Sequence, residues 1–308
     1  MSWPALTENV KVVDVWRGNN PDEGKTDRSK GRIDWRRFKD DNPAVEVVIA
    51  RACGSSSGPD PDFAHNYDAA QAAGFKVAAY LNNNPYMAVS ALLEWWKVAL
   101  GGREPALIEH DCESPAHPAN PGGGLAPVSP AAMTKHVRDE GDALMKQWPK
   151  AKHDKYSACW WWTPNIVHGW EAAINLWDAH YIYAVQEIGG TWRQAFTFEE
   201  IDRLLPIGNN FTPCLPSGFV RSLVTQWQAS EYGKLETYTV DGRRITKNID
   251  LGYMLRSYFQ QVFVGVITTP PPEVGDPGAV SVEWAMAVDE WARGDPTWPY
   301  HGPPPVEA

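Results

Sequence analysis

Acidic side chains at the ends of apolar runs are the residues of this chain best placed to do chemistry. The segment Leu107-Ile108-Glu109-His110-Asp111-Cys112-Glu113 runs from an apolar strand into a cluster of acids. Asp111 and Glu113 are two positions apart, so on a strand both side chains point to the same side. Two close carboxylates cannot both ionise cheaply. One pKa should rise and leave a proton donor beside a charged partner. Glycosidic cleavage needs that pairing: an acid for the leaving oxygen and a negative group near an oxocarbenium-like centre. A lone Asp-x-Glu is more often a pair of solvated loop acids, so the pair needs company. Val12-Val13-Asp14 ends the first apolar run with an acid, and Asn248-Ile249-Asp250-Leu251 places another in the last. A single acid at a strand end is usually a cap or turn residue. Four acids from the first, fourth and last strands of a barrel would meet, because the first and last strands are neighbours. Reactive groups of barrel folds sit at the C-terminal strand ends.

The elements that must position these acids alternate between short apolar runs and amphipathic segments over the first 268 residues. That is the pattern of βαβ units on a largely parallel sheet. Strands are expected at Val10–Val15, Val45–Ala52, Lys76–Leu81 and Ala106–Glu113, then at Tyr156–Trp162, Trp177–Tyr183, Ser222–Ala229 and Asn248–Met254. A helix is expected at Asp62–Ala73, where Phe63, Asn66, Ala69, Ala70 and Ala73 share a face and Gly74 stops it. A second covers Tyr86–Leu100 and ends at Gly101-Gly102. A third starts from a Ser129 cap with Pro130 first, its apolar face carrying Met133, Val137, Leu144 and Trp148. A fourth is expected at Ile166–Leu176. Asp241-Gly242, inside Tyr238–Ile245, signals a hairpin, and Pro115–Pro127 reads as a Pro/Gly-rich loop.

The fold class expected is α/β: an irregular TIM-like (β/α) barrel with a short Pro-rich C-terminal extension. A barrel of roughly 250 residues takes most of the 308-residue chain, giving a catalytic domain at 1–268 and an extension at 269–308. In the extension, Thr269-Pro270-Pro271-Pro272 opens a stiff linker. A short helix follows at about Val280–Trp291, and the chain closes on Pro303-Pro304-Pro305. No internal repeat is seen, so no repeated binding module is expected.

Bulk properties remove other classes. A formal net charge of −10 without a Lys/Arg run argues against nucleic acid or an anionic membrane as partner. No stretch approaches the ~20 apolar residues of a membrane span. The start Met1-Ser2-Trp3-Pro4-Ala5 lacks a basic then apolar region, so no signal peptide is expected. Cys53, Cys112, Cys159 and Cys214 form no CxxC pair and are expected as free buried thiols. The histidines lack HExxH or paired-ligand spacing, so neither metal nor cofactor is expected. Ser55-Ser56-Ser57-Gly58 matches neither a nucleophile elbow nor a P-loop. Most of the sixteen tryptophans are read as core, Trp160-Trp161-Trp162 included, although an aromatic face also stacks on the C–H face of a pyranose.

The order of segments resembles glycoside hydrolase family 25, the lysozyme-type N-acetylmuramidases. That family opens with an Asp-Val/Ile strand followed by Trp and Gly, matched by Asp14-Val15-Trp16-Arg17-Gly18. Ile33-Asp34-Trp35 and Val47-Val48-Ile49-Ala50-Arg51-Ala52 match its next two segments. Asp62, Phe63, Asn66, Ala69 and Ala73-Gly74 match its first helix, and Val77-Ala78-Ala79-Tyr80 its Tyr-ended strand. Asp111-Cys112-Glu113 is its Asp-x-Glu. Leu176-Trp177-Asp178-Ala179-His180-Tyr181, Gln226-Trp227-Gln228 and Ile249-Asp250-Leu251 complete the series over about residues 10–256. Each motif alone is weak; the whole series in order is specific.

The resemblance implies cleavage of the β-1,4 bond between N-acetylmuramic acid and N-acetylglucosamine, with peptidoglycan glycan strands as partner. Glu113 would be the general acid. Asp111 would orient the substrate acetamido group or stabilise charge, and Asp14 and Asp250 would shape the field and position water or substrate. Tyr80, Trp177, Tyr181, Gln228 and Trp16 would line the sugar cleft. Departures are also visible. Leu81-Asn82-Asn83-Asn84 stands where the family usually has His or a related polar residue and then an aromatic. The opening motif lacks the usual Ser and Gln, and the Pro115–Pro127 loop and the Asp241-Gly242 hairpin look like additions. The alternative is a glycan-binding structural protein on the same barrel, as in a phage tail. Action at the bacterial cell wall without a signal peptide implies phage delivery, by holin release or on a virion, with residues 280–308 available for a protein partner.

Overall fold

The computed structural model describes residues 8–55, 57–113, 128–181, 195–204, 215–247 and 249–265. The Pro115–Pro127 loop, the end of the strand expected to reach Tyr183, the Thr269–Pro272 linker, the Val280–Trp291 helix and the closing Pro-rich tail lie outside the described residues.

The strands are β1 (Val10–Val15), β2 (Val45–Gly54), the two-residue β3 (Gly58–Pro59), β4 (Lys76–Asn82) and β5 (Leu107–Asp111). They are followed by β6 (Lys152–Ser157), β7 (Asn175–Ala179), β8 (Val224–Gly233) and β9 (Ile249–Met254). Eight of them close on themselves in the order β1-β9-β8-β7-β6-β5-β4-β2, with β2 pairing back to β1 and β3 attached to β2. β1, β2 and β4 to β8 run parallel. β9 runs antiparallel to both neighbours. This reversal makes the barrel irregular, and it brings the first residues of β9 to the rim where the other strands end.

Strand alternation sorts the side chains. Val10, Val12, Val47, Ile49, Ala78 and Leu107 fill the barrel interior with Met254, and Tyr258 and Phe259 seal its floor. Tyr258 and Phe259 come from the short helix α7 described below. The alternate residues Val13, Val15, Val48, Ala50, Ala79 and Leu81 face outward under helices. Those helices are α1 (Trp35–Asp41), α2 (Phe63–Ala72), α3 (Val89–Leu100) and, across β8 and β9, α6 (Phe198–Leu204). α4 (Pro130–Gln147) and α5 (Cys159–Asn165) cover a separate outer cluster of Met133, Val137, Trp161, Trp162, Leu176 and Val224. α7 (Arg256–Phe259) follows β9 directly.

Local chemistry explains the ends. Asp34 caps α1 by accepting from the Arg37 amide at 3.1 Å, and Ser129 caps α4 by accepting from the Ala132 amide at 3.3 Å. Gly101 ends α3 in the left-handed conformation, φ 56°. The start of α3 is delayed to Val89, because Asn84 Oδ1 accepts from the Tyr86 amide and holds that stretch in a turn. No helix among the described residues is long and apolar enough to cross a membrane.

Three expectations need correction. The strand expected at Tyr156–Trp162 ends at Ser157, and Cys159–Asn165 is the helix α5. The aromatic run suggested a strand, but packing overrode propensity: Trp161 and Trp162 are both fully buried in the α4–α5 cluster. The helix expected at Ile166–Leu176 is a single 3₁₀ turn, Glu171–Ala173. Gly169 is left-handed at φ 107°, and the Glu171 carboxylate accepts from the Gly169 and Trp170 amides at 2.7 and 2.8 Å. A side chain here takes the donors that a helix would have used. The thiols are not all free: Cys53 and Cys112 are free and buried, whereas Cys159 is disulfide-bonded. The Asp241-Gly242 turn is present, with Gly242 at φ 86°, but it is flanked by a single Tyr238–Arg244 bridge and not by a ladder.

Asp178 is out of place in the outer wall of β7. It is fully buried, and neither carboxyl oxygen has a hydrogen-bond partner among the described residues. Burial holds its carboxyl well above the usual range, which favours the neutral form in the fold. Stability from such a group is intact below the unfolded pKa, near 4, and is lost as pH rises toward the folded value. Asp178→Asn should therefore stabilise the protein at pH 8 by roughly 1–3 kcal/mol and leave it little changed at pH 4. Thermal melts at both pH values check this; an equal effect at the two would remove ionisation as the cause.

Candidate active site

The site grows from the strand ends. β1 delivers Asp14 to the rim, and its register partner on the reversed β9 is Asp250. β5 ends on Asp111, with Glu113 two residues beyond. Register then runs sideways from Asp111 to Tyr156 on β6 and from Tyr156 to Trp177 on β7. The resulting cleft, about 310 Å³, is lined by Asp14, Tyr80, Asp111, Glu113, Tyr156, Trp160, Trp177, Tyr181, Gln228, Glu231 and Asp250. The four acids singled out from the sequence therefore share one cavity with Tyr80, Trp177, Tyr181 and Gln228. Trp16 is not among its lining residues. β1 ends at Val15, and the Trp16 amide turns to Asn19 Oδ1 at 2.7 Å. Its ring is 38% exposed and sits under the Arg51 guanidinium, 4.2 Å from the ring centroid.

Gln228 is the hub. Its amide nitrogen donates to Asp14 Oδ2 at 3.0 Å and to Asp250 Oδ2 at 3.1 Å, while its oxygen accepts from the Tyr156 hydroxyl at 2.6 Å. At 2% exposure it holds the lining in place from behind. On the other side, Asn82 donates to Asp111 Oδ2. Asn84 turns away, donating to the Ser55 carbonyl at 2.5 Å. The Leu81–Asn84 departure is thus folded into the wall, and none of Asn83, Asn84 or Tyr86 lines the cleft.

Burial dominates the electrostatics. It lifts Asp14 to about 6, against the hydrogen bonds from Gln228 and Asp250 that lower it. It lifts Glu113 to about 7, helped by the charges of Glu231 and Asp14 and opposed by a hydrogen bond from Tyr156. Asp111 is held well above the carboxylate range by burial, then by Glu113 and Asp14. Asp250 is held there by burial and Asp14. Carboxyls crowded into one desolvated cleft share protons, and a neutral Glu113 beside them is a proton donor at mildly acidic and neutral pH.

Three lining residues escaped the sequence. Tyr156 lay in an expected strand, and its signal was positional: it is level with Asp111 and packs edge-on to Trp177, ring centroids 4.7 Å apart. Trp160 was read as packing; its position at the start of α5 turns it toward the rim. Glu231 carries no local signal, since regular alternation from Gln228 points it outward. Among the described residues no cluster of His, Cys, Asp and Glu could hold a metal ion.

The sequence profile of Glycosyl hydrolases family 25 matches residues 27–199. The fold is similar to that of a bacterial lysozyme from Streptomyces coelicolor: TM-score 0.54 at 21% identity, covering 80% of this chain and 93% of that one. A family 25 glycosyl hydrolase from Bacillus anthracis gives TM-score 0.56 at 17% identity, with 84% and 95% covered. The catalytic domain of the endolysin ply40 from bacteriophage P40 of Listeria monocytogenes gives 0.52 at 13%, with 82% and 97% covered. These likenesses show the fold. No curated protein sequence matches the chain. Asp14, Gln228 and Asp250 lie outside the matched segment, and only the closure of the barrel joins them to Asp111 and Glu113. With more than half of its 308 residues matched, the chain belongs to glycosyl hydrolase family 25.

Proposed function

We propose that this glycoside hydrolase is an N-acetylmuramidase that cleaves the β-1,4 bond between N-acetylmuramic acid and N-acetylglucosamine in peptidoglycan. The observation that carries the reading is a buried carboxyl lifted to about 7, Glu113, sharing a cleft with Asp111, Asp14 and Asp250. Glu113 gives its proton to the glycosidic oxygen as the bond breaks. Asp111, held by Asn82, faces the substrate acetamido group and steers its oxygen toward the anomeric carbon. Asp14 and Asp250, clamped by Gln228, shape the field and position water or substrate in the second half of the reaction. Tyr80, Trp160, Trp177 and Tyr181 supply aromatic faces for pyranose rings.

The same barrel used only for glycan contact is the lesser reading: a groove filled by Asn82–Tyr86 or by the Pro115–Pro127 loop would favour it, and none of residues 82–86 lines the cleft, while the loop lies outside the described residues. The likeness to a phage endolysin domain supports action at the bacterial cell wall as a phage-delivered lysin. Residues 280–308 are proposed to serve a protein partner, such as a virion component. Purified cell walls test the function: turbidity should fall while new reducing ends appear. Tight binding to walls without new reducing ends would replace the enzyme with the binder.

A further inference from the structure

β8 and β9 fall out of step at the rim. Gln228 pairs with Gly252, but Ser230 pairs with Leu251, so two steps along β8 answer one along β9. Cross-strand partners point to the same side of a sheet, and a bulge reverses the alternation beyond it. Gln228 faces the interior, where it reaches Asp14 and Asp250. Leu251 faces the outer core, Ser230 goes with it, and Glu231 is turned inward. The offset is tightly held. A Cβ on Gly233 would lie 2.3 Å from the Ile249 carbonyl oxygen, and one on Gly252 2.9 Å from that of Trp227. The bulge thus places a fifth carboxyl in the cleft, on the wall it shares with Asp250 and Tyr181.

We infer that Glu231 is a positioning residue for the reaction: its carboxylate keeps the proton on Glu113, and the Tyr156 hydroxyl opposes it from the β6 side. The inference rests on Glu113 being the proton donor. Glu113 is faced by Asp111 from β5, Tyr156 from β6, Tyr181 beyond β7, Glu231 from β8, Asp250 from β9 and Asp14 from β1. Arg51 of β2 acts on Asp111. After burial, Glu231 is the largest influence raising Glu113, ahead of Asp14, while the Tyr156 hydrogen bond lowers it. Tyr156 has one hydroxyl proton and three oxygens within reach: Gln228 Oε1 at 2.6 Å, the Glu113 carboxyl, and the Tyr181 hydroxyl at a longer 3.4 Å. While Glu113 is neutral, the Tyr156 hydroxyl keeps donating to Gln228 Oε1. Once Glu113 has passed its proton to the glycosidic oxygen, the hydroxyl turns to the new carboxylate. Tyr156 eases release; Glu231 favours recapture from the incoming water, whose hydroxide completes the hydrolysis.

The test is a carbon-13 NMR titration of the Glu113 carboxyl in the full chain, assigned by its loss in Glu113→Gln, alongside the pH profile of kcat/KM on purified peptidoglycan. In the parent the midpoint should lie at about 7. Glu231→Gln should lower it by about one pH unit, the effect of removing one nearby like charge. Tyr156→Phe should raise it, and Glu231→Asp, which keeps the charge, should restore most of the parent value. The basic limb of kcat/KM should follow each midpoint. A midpoint unmoved in folded Glu231→Gln, or moved the same way by both Gln and Phe substitutions, overturns the inference. Opposite midpoint shifts with a stationary basic limb would support the hold of Glu231 on Glu113 and remove Glu113 as donor.

Discussion

Glu113→Gln is expected to fold like the parent chain and to lose turnover by roughly 10²–10⁴-fold, the usual contribution of a positioned proton donor. The amide keeps the shape of the carboxyl but has no acidic proton to give. A pH argument sharpens the expectation. A donor lifted to about 7 is protonated below that value, so the parent rate should fall as pH rises through it, and this limb should vanish from the residual rate of the variant. The sign for stability is opposite to that for function. A carboxyl whose folded pKa is raised adds stability below its unfolded pKa and loses it as pH climbs through the folded value. Glu113→Gln should therefore melt higher than the parent at pH 8 and about level with it at pH 4. That melting pattern also shows that lost turnover is not lost structure. Unchanged release of reducing ends would take Glu113 out of the role.

Asp111→Asn is expected to depress the rate by about 10²–10³-fold, as when one electrostatic partner is taken from a preorganised site, without a covalent glycosyl-enzyme being trapped. Asp111 and Glu113 lie two residues apart at the end of β5. They are on one wall and cannot serve as acid and opposite-face base. An inverting enzyme would place those two groups roughly 6.5–9.5 Å apart with water between. A substrate that supplies its own acetamido oxygen needs only to be held, and that is the role proposed for Asp111, which accepts from Asn82. Net retention is the outcome expected of that route; inversion would need Asp14 or Asp250 as a separate base. Proton NMR of the first-formed reducing sugar should show the β-anomer; an initial α-anomer would mean inversion and end this account.

The halves of the barrel were not equally legible. β1, β2 and β4 are mostly apolar runs and β5 opens on one, and their pattern needs no tertiary information. From Tyr156 to Leu176 the chain misleads. Trp160, Trp161 and Trp162 have strand-like propensity but are helical, and Glu171 replaces a helix by capping its own loop amides. In both places a specific tertiary partner decides the conformation, and no local pattern encodes it. The acids were visible as strand-end residues, yet the direction of β9 was not, because an apolar hexapeptide reads alike in either sense. Glu231 was hidden for a related reason: a register offset between two strands cannot be seen in either strand alone. Cys159 had no informative spacing, so its disulfide left no mark on the motif pattern.

The reversed last strand also decides where the chain can be held. Met254 finishes level with Val10, the first residue of β1, so both ends of the barrel's own polypeptide leave from the sealed floor. A leash joined ahead of Val10 or after Gly265 pulls from behind, and the cutting face stays free when the enzyme is fused or immobilised. A tail returning to the cleft must first climb the wall, six residues of β9 at ~3.3 Å each. A segment of fewer than about six extended residues beyond the floor therefore cannot reach the cleft.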